Sequence, residues 1–220
     1  MQTNLYSKSI ATIGTVRTSI ASTKELNDIY KLRYEAYLSE DAILPDEKAF
    51  FLDKYDSSSN SINHTAYMNN DLIGSIRGCY YDPSNPNKNI PAFEIFKSEI
   101  EREIGLDSKI FESCRFVVKP SARRLFHINL ALIKTNCIFS YAFNCKHTLT
   151  AVRENHVGFY EKMGFKRSSK SKTYPGLKVQ MVLLIAKNSQ KLMDNFDKSL
   201  KRLRHNEIDR KNYIECLRNM

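Results

Sequence analysis

The sequence predicts an α/β (α+β) domain in which a central, mixed and twisted β-sheet carries helices on both faces. Apolar residues recur with strand and helix periods in the order β-α-loop-β-β-α-β-α-β-α-β-α. Strands separated by helices build such a sheet. The 220 residues, 42% of them apolar, are enough for one sizeable core. We expect the functional site where neighbouring strands diverge or reverse order.

The first half of the chain opens with an alternating run, 15–23, that predicts a strand, and Ser22 or Thr23 caps the helix that follows. That helix, 24–38, has apolar residues at three-to-four spacing. After a loop, two β-rich runs joined at an Asn/Asp turn predict a hairpin over 64–82. An amphipathic helix over 92–105 ends at its glycine.

The second half alternates more regularly between strands and helices. A strand over 110–120 is stopped by its final proline, and a long helix over 122–145 is apolar on most faces, which indicates burial. A strand over 147–152, a helix over 155–165 and a strand over 177–187 follow. These elements complete the predicted sheet.

The C-terminal segment, 189–217, is a highly charged amphipathic helix or helix pair. We therefore predict one domain over 1–188 and a C-terminal amphipathic segment over 189–220 that packs on it or extends from it. Apolar residues at helical spacing would cap the core or meet a partner; they are Leu192, Phe196, Leu200 and Leu203.

Composition excludes several classes of protein. No run of about 18 uncharged apolar residues is present, and the first twenty residues lack a secretory signal's apolar block. Five cysteines without CxxC spacing argue against a disulfide framework and against a zinc site, so we expect no metal. Three of them, Cys114, Cys137 and Cys145, lie in apolar surroundings and read as small core residues. This usage predicts a reducing, cytoplasmic location.

The net charge of +10 is concentrated in one segment. Residues 119–178 contain twelve Lys and Arg against two Asp and Glu. Such a surface attracts nucleic acid, phosphates or an acidic protein, and composition alone leaves these open. Nucleic-acid binding would also need exposed aromatic residues, but most of Phe126, Tyr141 and Phe159 fall at core spacings.

Charged residues interrupt positions where the pattern predicts a core. They are Arg33 in the first helix, Asp53 and Asp56 in the loop, Arg77 in the hairpin, and Glu112 and Arg115 in the following strand. Each alone can be a surface residue at the end of an element. Together, three arginines and three carboxylates are balanced, as buried charges must be. The set suits a zwitterionic small molecule such as an amino acid.

Two further stretches bear on chemistry. In "NHVGFYEKMGF", Tyr160 lies one turn before Gly164, either as a packing residue with a wet hydroxyl group or as a group serving a reacting centre. In "KPSARRLFHI" a strand gives way to a helix whose first amides and arginines could bind phosphate. A solvated basic turn explains that stretch equally well.

With these residues in place, the chain resembles the GNAT acyltransferase superfamily over roughly residues 15–187. It resembles more closely the branch of N-acyl amino acid synthases and acyl-homoserine-lactone (autoinducer) synthases. The resembling motifs are "KLRYEAY" (31–37), "DKYD" (53–56), "GSIRG" (74–78), "ESCR" (112–115) and "FYEKMGF" (159–165). Their order and spacing make the resemblance more specific than any one of them.

The resemblance implies the GNAT acyl-CoA N-acyltransferase fold and direct transfer of an acyl group from a thioester to an amine. Glu112 is the candidate general base and Tyr160 the acid that protonates the leaving thiolate. A bulge in the central strand would hold the thioester oxygen. The residues implied for the acceptor are Arg33, Tyr37, Asp53, Asp56, Arg77 and Arg115. Those implied for the donor are Val117, Arg123, Arg124 and His156.

Two departures from the superfamily pattern refine this expectation. The stretch "SARRLFHI" lacks the glycines of a pyrophosphate loop, and the sequence has no tryptophan. The first favours acyl carrier protein over acyl-CoA as donor, with the segment 119–178 docking the acidic carrier. The second argues against S-adenosylmethionine as acceptor. Leu130, Ile133 and Phe139 of the long helix would line an acyl channel or simply form core.

The expected function is therefore an N-acyltransferase that moves a long-chain fatty acyl group to the amine of an amino acid or similar molecule. One alternative is an acetyl-CoA-dependent GNAT N-acetyltransferase. Another is a basic nucleic-acid-binding protein without catalysis, and a third is a GNAT domain that binds an acyl ligand without turnover.

Overall fold

A computed structural model describes residues 9–188 and 200–219, and in this part of the chain nine strands form one continuous arrangement. The strands are β1 (Ala11–Ile13), β2 (Val16–Ile20), β3 (Ser61–Met68), β4 (Asp71–Tyr81), β5 (Ile110–Val118), β6 (His147–Val152), β7 (Lys166–Arg167), β8 (Lys172–Thr173) and β9 (Gln180–Lys187). Their order is β1-β2-β3-β4-β5-β6-β9-β7, with β8 also paired to β9. Only β5 and β6 pair in parallel among these described strands, so the predicted mixed sheet is confirmed.

The helices are α1 (Leu26–Leu38), α2 (Phe93–Ile104), α3 (Phe126–Ala142), α4 (Val157–Glu161) and α5 (Glu207–Arg218). Successive side chains of a strand point to opposite faces of the sheet. In β5, Val117 packs against α1, whereas its neighbour Val118 packs in the cluster of α3. In the same strand Ile110 packs with α2, whereas Phe111 packs on Phe139 of α3. Helices therefore cover both faces, as predicted.

None of the helices within the described ranges is both long enough and apolar enough to cross a bilayer.

The turn residues of the β3–β4 hairpin determine its geometry. Asn69 and Asn70 both have positive φ, 51° and 66°, which is the backbone of a type I′ turn. This turn matches the right-handed twist of the strands, and asparagine tolerates the left-handed region better than most residues. The predicted hairpin is confirmed, with its turn one residue earlier than the "ND" pair.

Several boundaries differ from the prediction. The strand β1 and the two-residue strands β7 and β8 were not predicted, because runs this short carry no periodic signal. The helix α3 begins at Phe126 rather than Ala122, after a separate 3₁₀ turn over Pro120–Ala122. The helix α4 is only five residues long and follows a 3₁₀ turn over Glu154–His156.

The helix α3 lies unusually close to the sheet at Gly78. A Cβ atom built there would lie 2.3 Å from Cδ1 of Phe139 and 2.7 Å from Cε2 of Phe111. No side chain fits in that space without displacing a ring. The glycine therefore allows α3 to pack this close to β4.

The described part of the C-terminal segment packs on the domain. Leu200, Leu203 and Tyr213 are buried, and the Tyr213 hydroxyl group shares a 2.7 Å hydrogen bond with Nε2 of buried His64 on β3. Core capping is thus observed for Leu200 and Leu203. Leu192 and Phe196 lie outside the described residues, so the predicted boundary at residue 188 stays a prediction.

Candidate active site

A cleft opens where β5 and β6 separate. The two strands pair at only three positions, Ile110 with His147, Phe111 with Thr148 and Glu112 with Leu149. Beyond them the remainder of each strand lines a cavity of about 410 Å³. The cleft thus lies at the divergence of neighbouring strands, where the sequence placed the expected site.

A β-bulge shapes the β5 wall of the cleft. Ser75 pairs with Val117 and Arg77 pairs with Cys114, which leaves Arg115 and Phe116 opposite a single residue of β4. Arg115 has a φ of 52°, a left-handed conformation that is costly for a residue with a side chain. A bulge releases backbone groups from the ladder and re-aims them. The bulge that the resemblance implies is therefore present.

Five of the six charged residues singled out in the sequence meet beside β5. Arg33 Nη1 lies 2.8 Å from Asp56 Oδ1, and Arg77 Nη1 lies 3.0 Å from the same atom. Arg77 also donates to Asp53, from Nη1 to Oδ1 at 2.8 Å and from Nη2 to Oδ2 at 3.0 Å. Arg115 Nη2 donates to Asp53 Oδ2 at 2.6 Å. Two aspartates thereby join three arginines from α1, β4 and β5.

The two aspartates are held ionised by these arginines. Burial alone would raise the pKa of each carboxyl group, but the hydrogen bonds and charges of the arginines outweigh it and lower both pKa values. The aspartates also fix their own turn, since Asp53 Oδ1 accepts from the Tyr55 amide and Asp56 Oδ2 from the Asp53 amide. The turn over residues 53–56 and the ionic cluster therefore stabilise each other.

Glu112, the sixth residue, departs from the predicted balance of charges. It forms no ion pair with the described residues; its Oε2 accepts the Ala92 backbone amide at 2.7 Å, and its buried Oε1 has no hydrogen-bond partner there. Burial raises its pKa well above the ordinary value. The expectation of three paired carboxylates is wrong in this respect, because Glu112 faces an amide and the cleft rather than a guanidinium group.

The residues implied for the acceptor divide into two layers. Tyr37 and Arg115 line the cleft together with Glu112. The other four do not line it but lie behind its wall; they are Arg33, Asp53, Asp56 and Arg77. Arg33 and Arg77 are fully buried. The structure therefore places the buried arginines where they support the wall rather than where they touch a ligand in the cleft.

The residues implied for the donor are also only partly brought together. Val117, Arg123 and His156 line the cleft, whereas Arg124 is exposed and outside its lining. Arg123 donates to the Ala36 carbonyl at 3.0 Å and pairs with Glu40. Because α3 begins only at Phe126, both arginines precede the helix, and the expected cradle of helix amides plus arginines is not formed at Ala122.

Tyr160 lies between the cleft and a second cavity, and its role as a packing residue or as a group that serves a reacting centre stays a prediction. It is buried, yet it lines both the cleft and a second cavity, and its pKa is raised to about 12 by burial despite a hydrogen bond with Thr150. At neutral pH the hydroxyl group therefore keeps its proton and is able to donate it.

The second cavity, the inner pocket, has a volume of about 470 Å³ and lies under α3. Its mainly apolar walls include Phe111, Ile133, Cys137, Met163, Phe165, Ala186 and Leu203. Ser113 and Tyr160 line the inner pocket and the cleft alike, so they mark the junction between them. Of the three channel candidates, Ile133 lines the inner pocket, whereas Leu130 and Phe139 are core residues outside its lining.

Sequence reasoning missed several residues of the site. Tyr174 is buried and lines the cleft, and its ring lies 5.8 Å from the Arg115 guanidinium carbon. Cys114 packs against the core cluster beneath α2, as predicted, but it is half-buried and also lines the cleft. Its place two residues after Glu112 on a strand is a signal that could have found it. Tyr174 offered no such signal, since it lies in an irregular segment.

Ion pairs neutralise part of the positive charge that composition assigns to the basic segment, residues 119–178. Six of its twelve basic residues form ion pairs with other residues in the described ranges; they are Lys119, Arg123, Arg153, Arg167, Lys172 and Lys178. Most of the acidic partners come from the first half of the chain. The assignment of its aromatic residues to core spacings is wrong for Phe126 and Tyr141, which are exposed.

Comparisons with known proteins agree with this geometry. The family model described as N-acyl amino acid synthase FeeM matches residues 28–187. A search of curated proteins found no match. Among solved structures, FeeM, an N-acyl amino acid synthase from uncultured soil microbes, has a TM-score of 0.64 at 13% identity, covering 84% of this chain and 97% of that chain.

Two other solved structures show the same fold. The CoA-dependent acyl-homoserine lactone synthase BjaI, solved with MTA, has a TM-score of 0.61 at 14% identity, covering 81% of this chain and 83% of its own. An acyl-CoA N-acyltransferase from Pseudomonas aeruginosa has a TM-score of 0.53 at 14% identity, covering 78% and 97%. The fold is thus that of the GNAT-like acyltransferases. The chain belongs to the N-acyl amino acid synthase FeeM family and is an N-acyltransferase.

Proposed function

We propose that the protein transfers a long-chain fatty acyl group from an acyl thioester to the amine of an amino acid or a similar small molecule. The observation that carries this proposal is the junction of two cavities at Ser113 and Tyr160. One cavity is polar on its β5 wall, with Glu112 and Arg115, and suits a small amine. The other is apolar and far larger than an acetyl group requires, which argues against acetyl-CoA as the natural donor.

The chemistry follows from the positions of the charged groups. The acceptor binds on the β5 side, where Arg115 and Tyr37 hold its carboxylate, and Glu112 takes a proton from its ammonium group. The free amine attacks the thioester carbonyl, whose developing negative charge is held by amides of the bulge at Arg115. The thiolate then leaves with a proton from Tyr160, and the second proton lost by the new amide nitrogen restores that hydroxyl group.

The ionic cluster behind the wall keeps this arrangement rigid. Asp53 holds both Arg77 and Arg115, so the guanidinium group facing the cleft is fixed from behind. A charge that is already oriented needs no reorganisation when the substrate arrives. Arg33, Asp56 and Arg77 thus act in the proposal as positioning residues for Arg115.

Acyl carrier protein is the donor we favour, with acyl-CoA as the second choice. The absence of glycine after β5 and the late start of α3 leave no loop built around a pyrophosphate group. The basic residues of 119–178 that form no ion pair with a described residue would steer an acidic carrier. Cys79, Cys114, Cys137 and Cys145 are free thiols, which fits action in a reducing compartment.

The test is a product assay with folded protein. Wild-type protein is incubated with palmitoyl carrier protein or palmitoyl-CoA and a pool of amino acids, and acyl amides are sought by mass spectrometry. We expect an acyl amide, formed faster from the carrier protein. No amide with any acyl chain or amino acid would overturn the proposal. Tight coenzyme A binding by calorimetry with acetyl transfer alone would favour the N-acetyltransferase instead.

A further inference from the structure

The segment directly after α1, residues 39–42, forms a strap across the cleft. The Ala42 carbonyl group accepts the Lys178 amide at 2.8 Å, and the side chain of Lys178 pairs with Asp41. Lys178 precedes β9, which is hydrogen-bonded to β6. Because α1 packs on β5, the strap joins the β5 side of the cleft to its β6 side.

Glu40 lies within the strap and pairs with an arginine from each wall of the cleft. Its Oε1 lies 3.1 Å from Arg123 Nη2, and its Oε2 lies 3.1 Å from Arg153 Nη2. Arg123 follows β5 and Arg153 directly follows β6, the two strands that diverge. All three side chains are partly exposed and line the cleft. A single carboxylate therefore bridges the two walls.

The bridge leaves positive charge in excess, since two guanidinium groups share one carboxylate. His156 lines the same part of the cleft; burial lowers its pKa, and the negative charge of Glu40 opposes that shift. A phosphate group carries up to two negative charges and accepts hydrogen bonds from several guanidinium nitrogens. It would therefore satisfy this pair of arginines better than one carboxylate does.

The position of the arginines fits the length of a thioester donor. Leu149 of β6 pairs with Glu112, and Arg153 lies four residues further along, which is about 13 Å of extended chain. In acyl carrier protein and in acyl-CoA alike, the thioester is joined through a pantetheine arm to a phosphate group. An extended arm whose thioester lies beside Glu112 is long enough to bring that phosphate to the arginines.

We propose that Arg123 and Arg153 bind the phosphate group of the donor's pantetheine arm and that Glu40 occupies this site until the donor arrives, an inference that rests on the proposed function. The phosphate displaces the carboxylate, so the arginines exchange one anion for another and no covalent bond changes. Glu40 thus competes with the donor and holds the two walls together when no donor is bound. Thioesters without a phosphate group cannot displace it and bind poorly.

The test uses two probes that differ only in the phosphate group, 4′-phosphopantetheine and pantetheine. Calorimetry gives both dissociation constants for the wild type, Glu40→Gln and Arg153→Met. We expect the wild type to prefer phosphopantetheine. Glu40→Gln should increase this preference roughly threefold to tenfold, because the competing charge is gone, and Arg153→Met should remove most of it.

Glu154→Gln is the matched control. It makes the same change next to Arg153, in a carboxylate that pairs with Arg167 and does not line the described cleft. It should leave the preference unchanged, and melting temperatures show whether each variant is folded. An equal increase in Glu154→Gln would assign the effect to overall charge and overturn the proposal. An unchanged preference in Glu40→Gln or in Arg153→Met would overturn it as well.

Steady-state kinetics identifies the source of the phosphate group. In Glu40→Gln the KM should fall for palmitoyl carrier protein and for palmitoyl-CoA alike, since both carry this phosphate. A fall with palmitoyl-CoA alone would overturn the assignment to the shared phosphate. Amide formation with an unchanged probe preference would overturn this inference and leave the acyltransferase function intact. The expected preferences in a protein that forms no amide would overturn the proposed function alone.

Discussion

Glu112 combines two properties that rarely occur together in one side chain. Its carboxyl group is fully buried on a central strand, and one of its oxygens has no partner among the described residues. Burying a carboxyl group with an unpaired oxygen costs folding free energy, and such groups are concentrated at functional sites. The raised pKa makes it a stronger base than an exposed glutamate, but only when it is ionised.

Glu112 should therefore give amide formation a rising pH profile. Turnover of the wild type should increase with pH as the carboxyl group ionises through its raised pKa, and then level off. Glu112→Gln should lower turnover by roughly 10²-fold and abolish the rise. Steady-state rates measured across pH for both proteins test this. An unchanged rate or an unchanged profile in the variant would remove Glu112 from the role of base.

Asp56 illustrates the opposite case, a carboxylate that stabilises the fold. Its side chain is buried between Arg33 and Arg77, so Asp56→Asn leaves two guanidinium groups without their shared anion. We expect a loss of about 3 kcal/mol in the free energy of unfolding, measured with urea at neutral pH. The matched control, Asp71→Asn, breaks an exposed pair with Lys119 and should cost at most about 1 kcal/mol.

The pH dependence of this contribution has a definite sign. Because the folded state lowers the pKa of Asp56, its contribution is fully present above the ordinary aspartate value of 3.8 and is lost as the pH falls below it. The stability difference between wild type and Asp56→Asn should thus shrink in acid. A difference that stays constant would contradict the pairing.

At the scale of elements, the close seating of α3 on β4 gives a prediction about Gly78. Gly78→Ala would force a methyl group against the rings of Phe139 and Phe111 and should cost about 1–3 kcal/mol of unfolding free energy. In Gly158→Ala the new methyl group meets no atom within 4 Å, so a helical alanine should be neutral or slightly stabilising. Equal effects in urea titrations of the two variants would refute the close packing.

The elements that the sequence predicted well are those with strong local signals. The strand over 147–152, the helix ended by Gly105 and the Asn69–Asn70 turn all follow from periodicity or turn chemistry. The start of α3 did not, because a 3₁₀ turn and a helix share the same local composition. Similarly, β7 and β8 exist only through pairing with β9, which no local pattern encodes.

The sequence identified which residues form the ionic cluster, but not which of them line the cleft and which lie behind its wall. Charged residues at core positions identified the ionic cluster, since buried charges need partners. Whether Arg77 faces a ligand or lies behind one depends on the bulge at Arg115 and on the turn that carries Asp53, both of which are tertiary features. The pairing of Glu112 with the Ala92 amide likewise depends on a segment twenty residues away.

At the scale of the whole molecule, the sheet separates two compartments that meet at the divergence of β5 and β6. The cleft, with Glu112 and Arg115 on its β5 wall, lies beside the ionic cluster, and the inner pocket lies under α3. Tyr160 and Ser113 stand between them. The strand β5 serves both compartments, since Glu112 and Arg115 line the cleft and Phe111 lines the inner pocket.

We propose that a long acyl chain occupies the inner pocket while the amine is acylated in the cleft. The most direct measurement compares turnover with octanoyl and palmitoyl donors in the wild type and in Cys137→Phe, which fills the pocket from a half-buried position. We expect the variant to lose palmitoyl transfer but to keep octanoyl transfer, since only the longer chain reaches the added ring. An equal loss with both donors, or no loss with either, would contradict it.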